Sequence, residues 1–303
     1  MTLSNIRFPE ENPFCLIKFR HLVGWWLLVG IGISFQIAIP TSLRGIKFSG
    51  QDPFYQEIIV IYLAIFSFAW LLRQFKLVGI NVKQLVGKVA INYQWLPIVG
   101  LVIARVLFSI GSFRVSYYYL SFLNPSLVEN LLIDNINNGL LVVASKTFSP
   151  PLYCLLSAIN LLVVSPIFYA VIFQCFLLHR WATKWGNRGA IIALCLLFSL
   201  GGYRHIFGII SLILVYTLLY LKTRTLIVPL IAIILDSAIF LMWSLLLTFL
   251  GYYKTVGVLE QFRSQFPFGV FCLVLSAPWV MRFIYKNWYR IKEPLPYFTN
   301  SSE

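Results

Sequence analysis

Charge is what this chain has least of. Only 11% of its 303 residues are Asp, Glu, Lys or Arg, against about 25% in a soluble globular domain, too few to cover a water-facing surface of ordinary size. Recognisable chemistry is scarce as well. No GxGxxG, Walker loop, HExxH or GxSxG with a partner histidine occurs, so nothing points to a dinucleotide, nucleoside triphosphate, zinc-protease or serine-hydrolase site of those types. The five cysteines (Cys15, Cys154, Cys175, Cys195, Cys272) show no CxxC spacing and read as single buried or interfacial thiols rather than metal ligands or a disulfide set. Of the three histidines, His21 belongs to a basic stretch, His179 adjoins Arg180 and His205 adjoins Arg204, so all three read as solvated positions in basic connections. There is no internal repeat, low-complexity tract or lipidation box.

What fills the chain instead is apolar, 59% of all residues, arranged in runs that approach the roughly 20 residues a helix needs to cross a bilayer. Clear runs are Leu22–Pro40, Phe54–Leu72, Trp95–Phe113, Pro151–Leu178, Leu226–Leu247 and Pro267–Tyr285. Two further apolar blocks lie in Gly189–Tyr220, split by Gly201-Gly202-Tyr203-Arg204-His205. They are short for two full crossings, so one of these helices is expected to be short. The fold class that follows is all-α, a polytopic transmembrane bundle of about eight helices. The first run has no A-x-A type cleavage site and reads as an uncleaved anchor. The organisation expected is an inner-side segment 1–21, a multi-span domain 22–288 and an inner-side tail 289–303.

Net charge is +14, from 24 basic and 10 acidic residues. The basic residues are dispersed over connections rather than gathered on one soluble face, which argues for the positive-inside rule and against nucleic acid. With eight helices, the larger share (Lys18, Arg73, Lys76, Arg180, Lys184 and Lys286 among them) falls in connections on the side of both termini, so both termini are expected to be cytoplasmic. Residues 78–92 carry Lys83 and Lys88 among apolar positions and read as an interfacial helix. The Arg114–Pro150 connection, with Tyr117-Tyr118-Tyr119 and an Asn-rich middle, reads as a short structured loop at the surface. Asn300-Ser301-Ser302 matches a glycosylation sequon that a cytoplasmic tail would not present.

One stretch has the order and spacing of known motifs. Pro166-Ile167-Phe168-Tyr169-Ala170-Val171-Ile172-Phe173-Gln174-Cys175 resembles P-I-x-E-E-x-x-F-R-G. Phe198 followed by Gly202 resembles F-x-x-x-H, and Thr223, Thr225, Leu226 and Pro229 resemble the lead-in to an H-x-x-x-N motif whose ends fall on Ile233 and Ser237. These are the motifs of the CPBP family of intramembrane CAAX-type and bacteriocin-processing (Abi) proteases, whose core the resemblance places at about 151–250. In that alignment the two glutamates are Tyr169 and Ala170, the arginine is Gln174, both histidines are replaced (Gly202, Ile233) and the asparagine is Ser237.

An intramembrane hydrolase activates water with a carboxylate base or a metal, and Tyr169, Ala170, Gly202 and Ile233 supply no carboxylate, imidazole or thiolate. The resemblance thus implies a non-catalytic member of the fold, with no metal or cofactor, in which Tyr169, Gln174, Gly202 and Ser237 line a groove for a transmembrane partner or a hydrophobic ligand. The competing readings are an endopeptidase with a rearranged site using Asp236, Ser237 or His205, and a small-molecule transporter. Two ionisable residues fall well inside confident spans, Arg105 and Asp236. Each lies ten residues from the start of its run, at about 15 Å depth, so both should face the bundle interior and equal depth permits an ion pair between them; the alternative is that Arg105 snorkels and Asp236 bonds a neighbouring hydroxyl or backbone.

Overall fold

The computed structural model describes residues 12–17, 53–89, 93–137, 140–145, 147, 149–201, 206–249 and 257–300, with scattered positions between 20 and 31. No strand occurs among them. In chain order the principal helices are α1 (Pro53–Val78), α2 (Leu96–Leu123), α3 (Pro125–Asn137), α4 (150–185) and α5 (187–201). They are followed by α6 (Ile206–Thr223), α7 (Ile227–Phe249), the short α8 (Val258–Ser264) and α9 (Phe266–Asn287). Six stretches are long and apolar enough to cross a bilayer, namely α1, α2, Pro150–Ser199, α6, α7 and α9. The chain is an integral, multi-pass membrane protein. The expected first span, Leu22–Pro40, lies almost wholly outside the described residues.

Local sequence sets these boundaries. Prolines stand in the first turns of α2, α4 and α9, where the missing N–H would have had no helical partner. The Pro150–Ser199 stretch is divided at Gly186, whose φ of 68° and ψ of 170° lie in a region open essentially only to glycine. The chain therefore turns there, and α5 doubles back with only 15 residues, about 22 Å, short of a bilayer core. Thr225 starts α7 by accepting a hydrogen bond from the Ile227 N–H at 3.3 Å, while its own hydroxyl donates to the Val86 carbonyl at 2.9 Å.

Burial ranks the helices. In α6 every residue from Val215 to Leu221 is buried, as expected of a helix apolar on all sides at the centre of a bundle. The outer helices carry large apolar side chains on their outward faces, for example Phe271, Val274 and Trp279 of α9, a surface suited to lipid and not to water.

Three expectations change. The Arg114–Pro150 connection is largely helical: α2 continues through Tyr117-Tyr118-Tyr119 to Leu123 because Tyr118 stacks on Phe266 of α9 at 4.0 Å. Asn124 then starts α3 by accepting from the Leu127 N–H at 3.1 Å. Among the described residues of 78–92 there is one short helix after the end of α1, Val82–Val86, with Leu85 buried and Lys83 exposed. His179 is fully buried and not solvated. It stacks on Phe14 at 4.8 Å and meets Tyr220 and Tyr297 at 6.0 and 6.4 Å. Its neighbour Arg180 points elsewhere, because adjacent helical residues occupy different faces.

Around His179 the two ends of the chain meet. Asn12 donates to the His179 carbonyl at 3.3 Å, Phe14 packs edge-on against Tyr297 at 5.2 Å, and Asn300 donates to the Gln84 and Arg224 carbonyls at 2.8 and 3.0 Å. The segments around residues 12–17, 80–89, 179–187, 223–226 and 288–300 thus form one end of the bundle.

Candidate functional site

A cavity of about 600 Å³ lies between α1, α4, α5, α6 and α7. The long α4 provides the largest share of its wall. This helix widens twice into π-helical register, at Asn160–Val164 and at Tyr169–Leu177, and such widenings re-aim side chains relative to a regular helix. Tyr169, Phe173 and Phe198 make an aromatic cluster at the wall, with ring centroids 5.7 Å apart for Tyr169 and Phe173, 5.4 Å for Tyr169 and Phe198 and 4.2 Å for Phe173 and Phe198. From α7, Ile233 and Ser237 face the same space, as do Val60 and Ala64 from α1. Nearly all the lining is apolar.

The positions singled out by motif separate into three groups. Tyr169, Ile233 and Ser237 line the cavity together. Ala170 and Gln174 are fully buried in the packing behind it and are not among its lining residues. Gly202 lies outside the described residues, as does His205.

Behind the wall, Arg105 of α2 donates through Nη2 to Asp236 Oδ1 of α7, with both side chains buried. The Tyr216 hydroxyl of α6 is directed at the same carboxylate. Asp236 and Ser237 are consecutive on α7, so the pair and the cavity are separated by the thickness of one helix face. Asp236 is thus engaged by the guanidinium and is not among the residues that line the cavity. Among the described residues no group of three or more His, Cys, Asp or Glu is placed to hold a metal ion, and all five cysteines are free thiols.

A row of buried polar groups at the α4–α6 contact escaped the sequence reading. The hydroxyls of Tyr216, Thr217 and Tyr220 are buried there, and both side-chain amide atoms of Gln174 and Nε2 of His179 are buried without a hydrogen-bond partner. The signal available was the i, i+4 pair Tyr216 and Tyr220 inside an otherwise apolar run, which puts both hydroxyls on one helix face. Gln174 carries the clearest consequence. An unpartnered buried amide costs about 1–3 kcal/mol, so Gln174→Met, similar in volume, is expected to raise unfolding stability in detergent by about that amount. A loss of stability would mean the amide has work to do in the fold.

Compared with known proteins, the chain matches no family model, no curated protein and no solved structure.

Proposed function

We propose that this membrane protein is a non-catalytic relative of the CPBP intramembrane proteases that holds a hydrophobic molecule in the cavity between α1, α4, α5, α6 and α7. The observation that carries the reading is that Tyr169, Ile233 and Ser237, the residues at three of the family's chemical positions, line one nearly apolar space of about 600 Å³. Support for the resemblance comes from Phe173 and Phe198, the phenylalanines retained from the first two motifs, which pack on each other at 4.2 Å. None of the three lining residues supplies a carboxylate, imidazole or thiolate, and Asp236, beside Ser237 on α7, is engaged by Arg105. Size selects the occupant. The volume lies within the range of small-molecule sites, which favours a lipid-like ligand as the occupant.

The test is to purify the protein in mild detergent and identify bound lipids and pigments by mass spectrometry. An apolar molecule is expected at near one per chain, lost in Ile233→Trp, which fills the cavity, and retained in Val274→Trp, whose side chain faces outward on α9. A preparation free of any such molecule would overturn the reading. Cleavage of prenylated or transmembrane peptides that disappears on Asp236→Ala would put an enzyme in its place.

A further inference from the structure

At one end of the cavity the apolar lining gives way to a polar clasp between α1 and α4. Glu57 of α1 accepts from the Ser157 hydroxyl at 3.0 Å through Oε1 and from the Asn160 side-chain amide at 2.7 Å through Oε2. Asn160 in turn accepts from the Ser165 hydroxyl at 3.2 Å through Oδ1. Both Asn160 and Ser165 line the cavity. Their pairing depends on the π-helical turn Asn160–Val164, because in a regular helix residues five apart are rotated by about 140° and do not face each other. On α1 the same face carries Glu57, then Val60 and Ala64, which line the cavity one and two turns further in. The carboxylate thus sits at the cavity's end, about 6 Å from the start of α1.

Glu57 has no basic partner among the described residues. Each of its oxygens accepts one bond from the protein and keeps acceptor capacity for another. Ser157 and Asn160 orient the carboxylate without bringing a positive charge to it. A donor that also carries charge completes the site.

We infer that the ligand is a single-chain amphiphile whose protonated amine head binds Glu57 at the Glu57–Asn160–Ser165 end of the cavity while its apolar chain occupies the space beside Tyr169, Phe198 and Ile233. This rests on the cavity reading above and adds the head-group chemistry to it. An alcohol head offers one hydrogen bond and no charge, a carboxylate head is repelled, and a quaternary ammonium has no N–H to donate.

The experiment titrates the full chain, in one nonionic detergent at neutral pH, with dodecylamine, dodecanol and dodecanoic acid by calorimetry. Both heads can hydrogen-bond the carboxylate, but only the amine adds a counter-charge, so the amine is expected to bind about tenfold more tightly than the alcohol and the acid more weakly than either. In Glu57→Gln the amine should fall to about the alcohol's affinity while the alcohol still binds, which also shows that the variant is folded. Ile233→Trp should weaken the amine and the alcohol alike. Equal affinity for amine and alcohol in the wild type, or a preference that survives Glu57→Gln, overturns the head-group inference and leaves the cavity reading standing. Absence of binding by all three overturns both.

Discussion

Asp236→Asn is expected to lower the unfolding free energy of the detergent-solubilised protein by about 3–5 kcal/mol, because it leaves the Arg105 guanidinium buried without a counter-charge. Arg105→Met alone should cost a similar amount by stranding the carboxylate. Combining Arg105→Met with Asp236→Leu should recover most of the loss, since a buried pair contributes little net stability over apolar residues that fill the same space. The arrangement makes this a strong test. The donor comes from α2, the acceptor from α7, and Tyr216 of the central α6 faces the carboxylate, so three helices share one charged contact and none can turn it to lipid or water. A double-mutant cycle on unfolding free energies reads the coupling directly. Additive single changes would mean that the two groups do not depend on each other.

The second large effect is expected at Gly111. A Cβ there would meet the Leu273 nitrogen at 2.7 Å, the Gly269 carbonyl oxygen at 2.8 Å and the Leu273 Cα at 3.0 Å. All three are backbone atoms of α9, so no side chain can rotate away and the two helices must move apart. Small residues at helix crossings serve this close approach in membranes, where lipid supplies no hydrophobic drive for helices to associate. Gly111→Ala should therefore cost about 1–3 kcal/mol, the range for an overpacked contact, and Gly111→Leu more. Gly100, on the same helix with nothing within 4 Å of its would-be Cβ, is the control: alanine there should leave stability equal or raise it by up to about 1 kcal/mol. Should Gly111→Ala and Gly100→Ala unfold together, the α2–α9 crossing is not the tight contact described.

How far the sequence carries is clearest at individual residues. Apolar runs mark α1, α2, α4, α6, α7 and α9 because a bilayer imposes one length on every span. The depths of Arg105 and Asp236 need only the helix starts and the rise per residue, and those are written in the sequence as Trp95-Leu96-Pro97 and Thr225-Leu226. His179 was misread because its neighbour in sequence, Arg180, is basic, while what decides its burial is Phe14 and Tyr297 from the two far ends of the chain. Periodicity fails in α4 for a different reason. A pattern read at 3.6 residues per turn cannot anticipate two π-helical segments, and it is the first of these that brings Ser165 to Asn160 and so builds the polar end of the cavity. Nothing in the sequence singles out Glu57, since a sequence does not say which face of α1 meets α4.

The contact of Phe14 with Tyr297 also sets a clock. A chain made at about 5–20 residues per second exposes Phe14 tens of seconds before Tyr297 exists, and in that interval His179, Tyr220 and the loop around Gln84 have emerged with their final partners still missing. The segment 288–300 is therefore expected to act as a late latch during biosynthesis. A nascent chain stalled before residue 295 should keep this end open to protease, and emergence of residues 295–300 should close it in one step.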